Sequence, residues 1–211
     1  DLHSFPTRRS SDLHIGLGGE DVGGIGPKQP GTEQFPSRWT TYLATDQVER
    51  TLDAVRKEGG RELVKPRDIA VQGRMAIAAD PNGAIFGLWQ AADHVGAERR
   101  STPGSLVWSE ALSRDHEAAK RFYTEVFGYR LENVDGYDTQ YAALFTADRP
   151  VAGTGELHPD MPEDTPPHWL PYFATVGADA TVSQTLKRGG ALTAKPLDTD
   201  FGRMAIGRAH V

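Results

Sequence analysis

Apolar and polar positions alternate with two different periods along this chain, and each change of period marks an element. Val48, Leu52 and Val55 recur at three- and four-residue spacing between Thr45-Asp46, good helix N-caps, and Gly59, a good stop. That spacing predicts a helix with one buried stripe. Before it, residues 39–44 are rich in aromatic and β-branched side chains and predict a strand. After it, residues 75–79 and 84–89 are apolar runs on either side of Asp80-Pro81-Asn82-Gly83, which predicts a hairpin. The plan then recurs: residues 106–112 predict a strand, Asp115 a cap, and Ala118, Phe122 and Val126 a helical stripe closed by Gly128. Residues 129–131, 141–146 and 151–155 predict short strands. A strand over 169–174, a helix over about 179–187 and a strand near 203–205 open a further copy.

The recurrence is written in identities as well as in pattern. Trp39 and Trp169, Tyr42 and Tyr172, Gly59-Gly60 and Gly189-Gly190, and Lys65-Pro66 and Lys195-Pro196 are all separated by 130 residues. Gly73-Arg74-Met75-Ala76 returns at Gly202 with an offset of 129, and so does the stretch from Asp21 to Gly26 at 150–155. Matches at one spacing mean a duplicated structural unit. The expectation is an α+β protein of tandem strand-helix-strand-strand-strand units, with the first nearly gone, two whole, and the last without its final strands.

Both ends read as foreign to that plan. Residues 3–13 resemble the translation of a short sequencing adapter, and residues 206–211 that of its partner. The expected organisation sets aside 1–13 and 206–211. It places a first module over 14–91, with a complete unit at 36–91, a linker over 92–104 and a second module over 105–205.

A chain of 211 residues with 38% hydrophobic content can bury a real core. The net charge of −6 argues against a nucleic-acid or anionic-membrane partner. No cysteine is present, which excludes disulfides and thiolate metal sites and fits a cytoplasmic protein. No apolar run reaches the length of a membrane span.

With Asp115…Phe122-Tyr123…Phe127-Gly128 and Ala79-Asp80-Pro81-Asn82-Gly83-Ala84-Ile85-Phe86, the chain resembles the vicinal oxygen chelate superfamily of glyoxalases, bleomycin-resistance proteins and extradiol dioxygenases. Gly73-Arg74-Met75-Ala76 and Pro167-His168-Trp169 resemble its two-module hydroxylase-like or glyoxalase-like bacterial members. The resemblance covers roughly 21–205. It implies paired βαβββ units forming cup-shaped mixed sheets, helices on the outer face, a ligand on the concave face and, in many members, a divalent metal. If the protein is an enzyme, it implies a lyase or an oxidoreductase.

In metal-dependent relatives a histidine on the first strand lies seven residues before the helix-capping aspartate. Counting back from Asp46 and Asp115 reaches Trp39 and Trp108, and the repeat adds Trp169. An indole has no lone pair for a metal. The family's last-strand glutamate position falls on Gly87. The expectation is therefore no cofactor and no metal. Glu110, two residues past Trp108, is the one acid in these strand positions, and serves as general base or as hydrogen-bond acceptor. Its alternative is an ion pair with Arg74 or Arg203 at a cup seam. The four tryptophans Trp39, Trp89, Trp108 and Trp169 all fall at predicted cup positions, with pocket roles for some and packing for the rest. Thr41 and Arg74 complete the expected ligand set. His168 is expected as a loop residue and His116 as a solvated one.

Three functions stay open at this point. The first is metal-independent binding of a small aromatic or apolar molecule, with simple acid–base chemistry at Glu110. The second is a metal-dependent lyase or dioxygenase. The third is a non-catalytic assembly module, with self-association through exposed sheet edges.

Overall fold

The structure, a computed structural model, describes residues 13–27, 37–136 and 139–208. Most of the adapter-like 3–13 segment and residues 209–211 lie outside those residues. Strands β1 (Leu13–Leu17) and β2 (Glu20–Ile25) form an antiparallel hairpin. The first whole unit follows: β3 (Tyr42–Ala44), α1 (Val48–Lys57), β4 (Arg61–Ile69), β5 (Gly73–Ala79) and β6 (Ile85–Ala91). Its strands lie in the order β3-β6-β5-β4, with β3 parallel to β6 and the other neighbours antiparallel. The expected α1 stripe is real: Val48, Leu52 and Val55 are essentially sealed from solvent.

The second whole unit repeats this topology with β7 (Leu106–Ser113), α2 (His116–Phe127), β8 (Arg130–Asn133), β9 (Tyr141–Thr146) and β10 (Arg149–Glu156). Here a fifth strand, β11 (His168–Phe173), adds antiparallel to β7, giving the order β11-β7-β10-β9-β8. Helix α3 (Ala178–Lys187) and the hairpin of β12 (Ala191–Thr199) and β13 (Gly202–Arg208) complete the chain order. The fold is thus α+β, with mixed sheets covered on one face by helices. Residues 206–208 continue β13, pairing with β12 through Ala191 and Arg208, although the sequence set them outside the fold.

Strands β4 and β12 were not legible in the hydrophobic pattern. Each carries a Lys-Pro pair, Lys65-Pro66 and Lys195-Pro196, at a register shift. Proline has no N–H for the ladder, so a strand tolerates it at such an irregularity.

The two whole units share one core, and the helices join them. Phe86 of β6 meets Phe122 and Tyr123 of α2 edge to face, with ring centroids 6.0 and 6.2 Å apart. The hairpin after β5 is fastened to the same place. Asp80 Oδ1 accepts from the Gly83 and Ala84 amides at 2.8 and 2.9 Å, and Oδ2 accepts from the Tyr123 hydroxyl at 3.0 Å. Burial raises both the Asp80 carboxyl and the Tyr123 phenol above their usual values. By contrast, α3 buries no residue. Among the described residues no strand bridges β11 and β13 as β6 bridges β3 and β5, so α3 has less sheet to cover.

His116 corrects an expectation. It is buried in the first turn of α2, with Nε2 3.0 Å from the Thr154 carbonyl. That turn packs on β10 instead of facing water. Burial, and then the nearby Lys120, lower its pKa.

Candidate functional site

Side chains on β7 alternate between two environments. Ser109, Ala111 and Ser113 point into the core, so Trp108, Glu110 and Leu112 point to the other face of the sheet. Antiparallel register places His168, Leu170 and Tyr172 of β11 opposite Leu112, Glu110 and Trp108, and so on the same face. There the Tyr172 hydroxyl donates to Glu110 Oε1 at 2.8 Å, and the Tyr141 hydroxyl donates to Oε2 at 3.0 Å. Trp108 Nε1 donates to the Tyr141 oxygen at 2.7 Å. An indole N–H can only donate, so the proton of Tyr141 is turned toward Glu110. The carboxyl therefore sits at the end of a directional chain of donors. Burial raises its pKa above the usual carboxylate value, and the two phenols and the His168 ring oppose that rise less strongly.

Two glycines of β10 make this arrangement possible. Tyr141 pairs with Gly155, and its ring reaches along the face across Gly153, the partner of Glu110. A Cβ at Gly153 would lie 1.8 Å from the Tyr141 oxygen, and one at Gly155 would lie 2.8 Å from Tyr141 Cδ2.

Of the residues expected from the sequence, the structure brings only Trp108 and Glu110 together here. Trp169 points to the opposite face, into the core, where Nε1 donates to the Tyr123 hydroxyl at 2.9 Å. Trp39 lies before β3, 46% exposed, and packs on Phe173 with centroids 4.8 Å apart. Thr41 shares the parity of the core residue Leu43, and its hydroxyl is buried. Trp89 belongs to the four-stranded sheet, where Nε1 donates to the His94 carbonyl at 2.8 Å and the ring meets Tyr42 edge-on. Arg74 is on the helix side, ion-paired with Glu49 of α1 and with Asp68. Arg203 repeats that contact with Asp179 and Asp198, so neither arginine is an ion-pair partner of Glu110. Arg74→Ala is accordingly expected to leave ligand affinity at the Glu110 face unchanged, as checked by titration beside the parent protein.

At the first-strand positions the misplacement goes with a slip of one residue in the cap count. The N-cap positions are Gln47, Asp115 and Gly177, so counting from Asp46 shifts the first unit by one. Seven residues before the observed caps stand Thr40, Trp108 and Leu170. In a strand a single step exchanges the two faces, which is why Trp169 on β11 does not share the environment of Trp108, while Trp39 precedes β3 altogether. Tyr141 and Tyr172 went unrecognised. The available signals were the repeat of Tyr42 at Tyr172 and the period-two glycines Gly153 and Gly155. Tyr42 itself lies over Gly87, where a Cβ would fall 2.3 Å from Tyr42 Cδ1.

A family model for the Glyoxalase/Bleomycin resistance protein/Dioxygenase superfamily matches residues 105–207. The chain is 38% identical over 193 residues to a Mycobacterium tuberculosis protein with a provisional glyoxylase name, CFP32, covering 90% of this chain and 73% of that one. This chain belongs to the glyoxalase/bleomycin resistance/dioxygenase superfamily. It is also 36% identical over 181 residues to the anthracycline biosynthesis protein DnrV of Streptomyces peucetius, covering 85% of this chain and 65% of the relative. In fold it is similar to a Mn(II)-bound glyoxalase of Novosphingobium aromaticivorans, with a TM-score of 0.52 at 18% identity over 78% of this chain and 56% of that one.

Metal ions occur in this superfamily, but the described donors here do not fit one. Glu110 supplies a single carboxylate, and its hydrogen-bond partners are phenols and not further acids. On the same face, His168 Nδ1 is 2.8 Å from the Pro166 carbonyl, which only accepts, so that nitrogen carries its proton and Nε2 is the ring's single lone-pair donor. The described residues contain no group of three or more His, Asp or Glu side chains placed to hold an ion. A mononuclear site needs several converging donors. Nor is any described helix long and apolar enough to cross a membrane.

Proposed function

We propose that this superfamily member binds a small aromatic or apolar molecule on the Glu110 face of the five-stranded sheet without a metal ion, and that Glu110 is its acid–base group. The observation that carries this is the Trp108–Tyr141–Glu110–Tyr172 chain. It presents three aromatic side chains around one carboxyl that is fixed on both oxygens. Aromatic surface with a few placed polar groups is the usual make-up of a small-molecule site. The name of DnrV supports the ligand class, since an anthracycline is a polycyclic aromatic molecule. Each Glu110 oxygen keeps a lone pair free of the phenols, so the carboxyl can still accept a proton or hydrogen bond from a ligand. A carboxyl raised toward neutrality suits proton transfer better than an ordinary one.

Glu110→Gln tests this reading. The variant is expected to lose at least about tenfold in ligand affinity or turnover. Relative to the parent, its fold should gain stability as pH rises. The raised Glu110 pKa means that the native carboxyl's contribution is fully present below its unfolded-state value. That contribution is lost as pH rises through the higher folded-state value, where the buried anion must form. Glutamine escapes that loss, so the melting-temperature difference should open across that interval and then level off. Elemental analysis of the purified protein completes the test: stoichiometric Fe, Zn, Ni or Mn bound to it would sink the metal-free reading.

A further inference from the structure

Among the described residues Glu110 makes no ion pair, unlike the carboxylates that meet an arginine or lysine, and unlike buried Asp80 it has no backbone amide on either oxygen. Glu49 pairs with Arg74, Glu117 with Lys120 and Asp179 with Arg203, and each pair is a direct contact. The described contacts of Glu110 are phenol hydroxyls on each oxygen, with an indole N–H behind one of them. Two phenols donate to the carboxyl, one to each oxygen, and the indole N–H donates to one of those phenols. They suit an anion, because a protonated acid would need an acceptor that the phenols do not offer while donating. Yet the surroundings are aromatic and water-poor, which disfavours an uncompensated anion. The site is thus built to hold a negative charge, and the described residues place no cation in direct contact with it; the His168 ring acts on it through its charge alone.

We infer that the ligand supplies the missing charge: an organic ammonium whose cationic head sits against Glu110, with its apolar body against Trp108, Tyr141 and Tyr172. This rests on the binding reading above and names its ligand class. Aromatic side chains beside a carboxylate are the combination that recognises such cations, through ring quadrupoles and charge together. The chain's net charge of −6 favours the encounter further. A carboxylate-bearing ligand is disfavoured wherever Glu110 is ionised, since two anions would then meet in a partly desolvated place.

The probe is phenyltrimethylammonium, compared with its neutral isostere tert-butylbenzene, each titrated into the full chain by calorimetry. The ammonium is expected to bind at least about tenfold more tightly than the isostere, and Glu110→Gln should abolish that preference. Trp108→Ala should weaken both probes. Equal binding of the two probes, with Trp108→Ala weakening both, overturns the cation and leaves the apolar-binding reading standing. A preference that survives in Glu110→Gln also overturns it, since the charge would then lie elsewhere. Binding of neither probe overturns both readings.

Discussion

Phe86→Ala is expected to lower the unfolding free energy by about 3–5 kcal/mol. The ring is fully buried and meets Phe122, Tyr123 and Phe127 with centroids 6.0, 6.2 and 5.9 Å away. It belongs to β6 of one unit, while its three partners belong to α2 of the next. Truncation would therefore open a cavity at the joint between the units, where neither sheet can collapse inward without separating from its helix. Urea unfolding followed by tryptophan fluorescence measures the change. A loss under about 1.5 kcal/mol would mean that the joint relaxes and that Phe86 does not couple the units.

Gly153→Ala should disable the site while leaving the protein folded. The new Cβ would sit 1.8 Å from the Tyr141 oxygen and 3.1 Å from Trp108 Nε1. The nearest atom is the far end of a side chain, so Tyr141 can swing away, at a cost of about 1–3 kcal/mol. Its departure removes the donor to Glu110 Oε2 and leaves the Trp108 indole without its acceptor. Ligand affinity should fall at least as far as in Glu110→Gln. The check is a double-mutant cycle: in a Tyr141→Leu background, Gly153→Ala should cost much less than in the parent. Equal costs in the two backgrounds would show that the glycine serves something other than the path of Tyr141.

The fold was legible because duplication and periodicity are local and repeated. The α1 stripe, the Asp80–Gly83 turn and the Asp115 cap were each read from neighbours within a few residues, and each appears in the structure as a helix, hairpin or cap. Asp115 was read correctly because its side chain does accept from the Ala118 amide, at 2.9 Å. Asp46 misled because the observed cap, Gln47, makes no side-chain cap hydrogen bond. One residue of error leaves a helix in place but turns every side chain of the preceding strand to its other face.

The chain by itself determined the α+β class, the repeated unit, the core stripe of α1 and the presence of an acid beside Trp108. These follow from spacing and residue type, which act over a few positions. Only the tertiary structure decided what surrounds that acid. Tyr141 and Tyr172 come from β9 and β11, 31 and 62 residues beyond Glu110. They meet it because β11 adds to β7 and because Gly153 leaves a path across β10. Trp169 shows the same dependence from the other side: its identity suggested a ligand contact, and its register on β11 turned it into the core. Facing is set by strand pairing between distant segments, and one sequence alone does not contain that pairing.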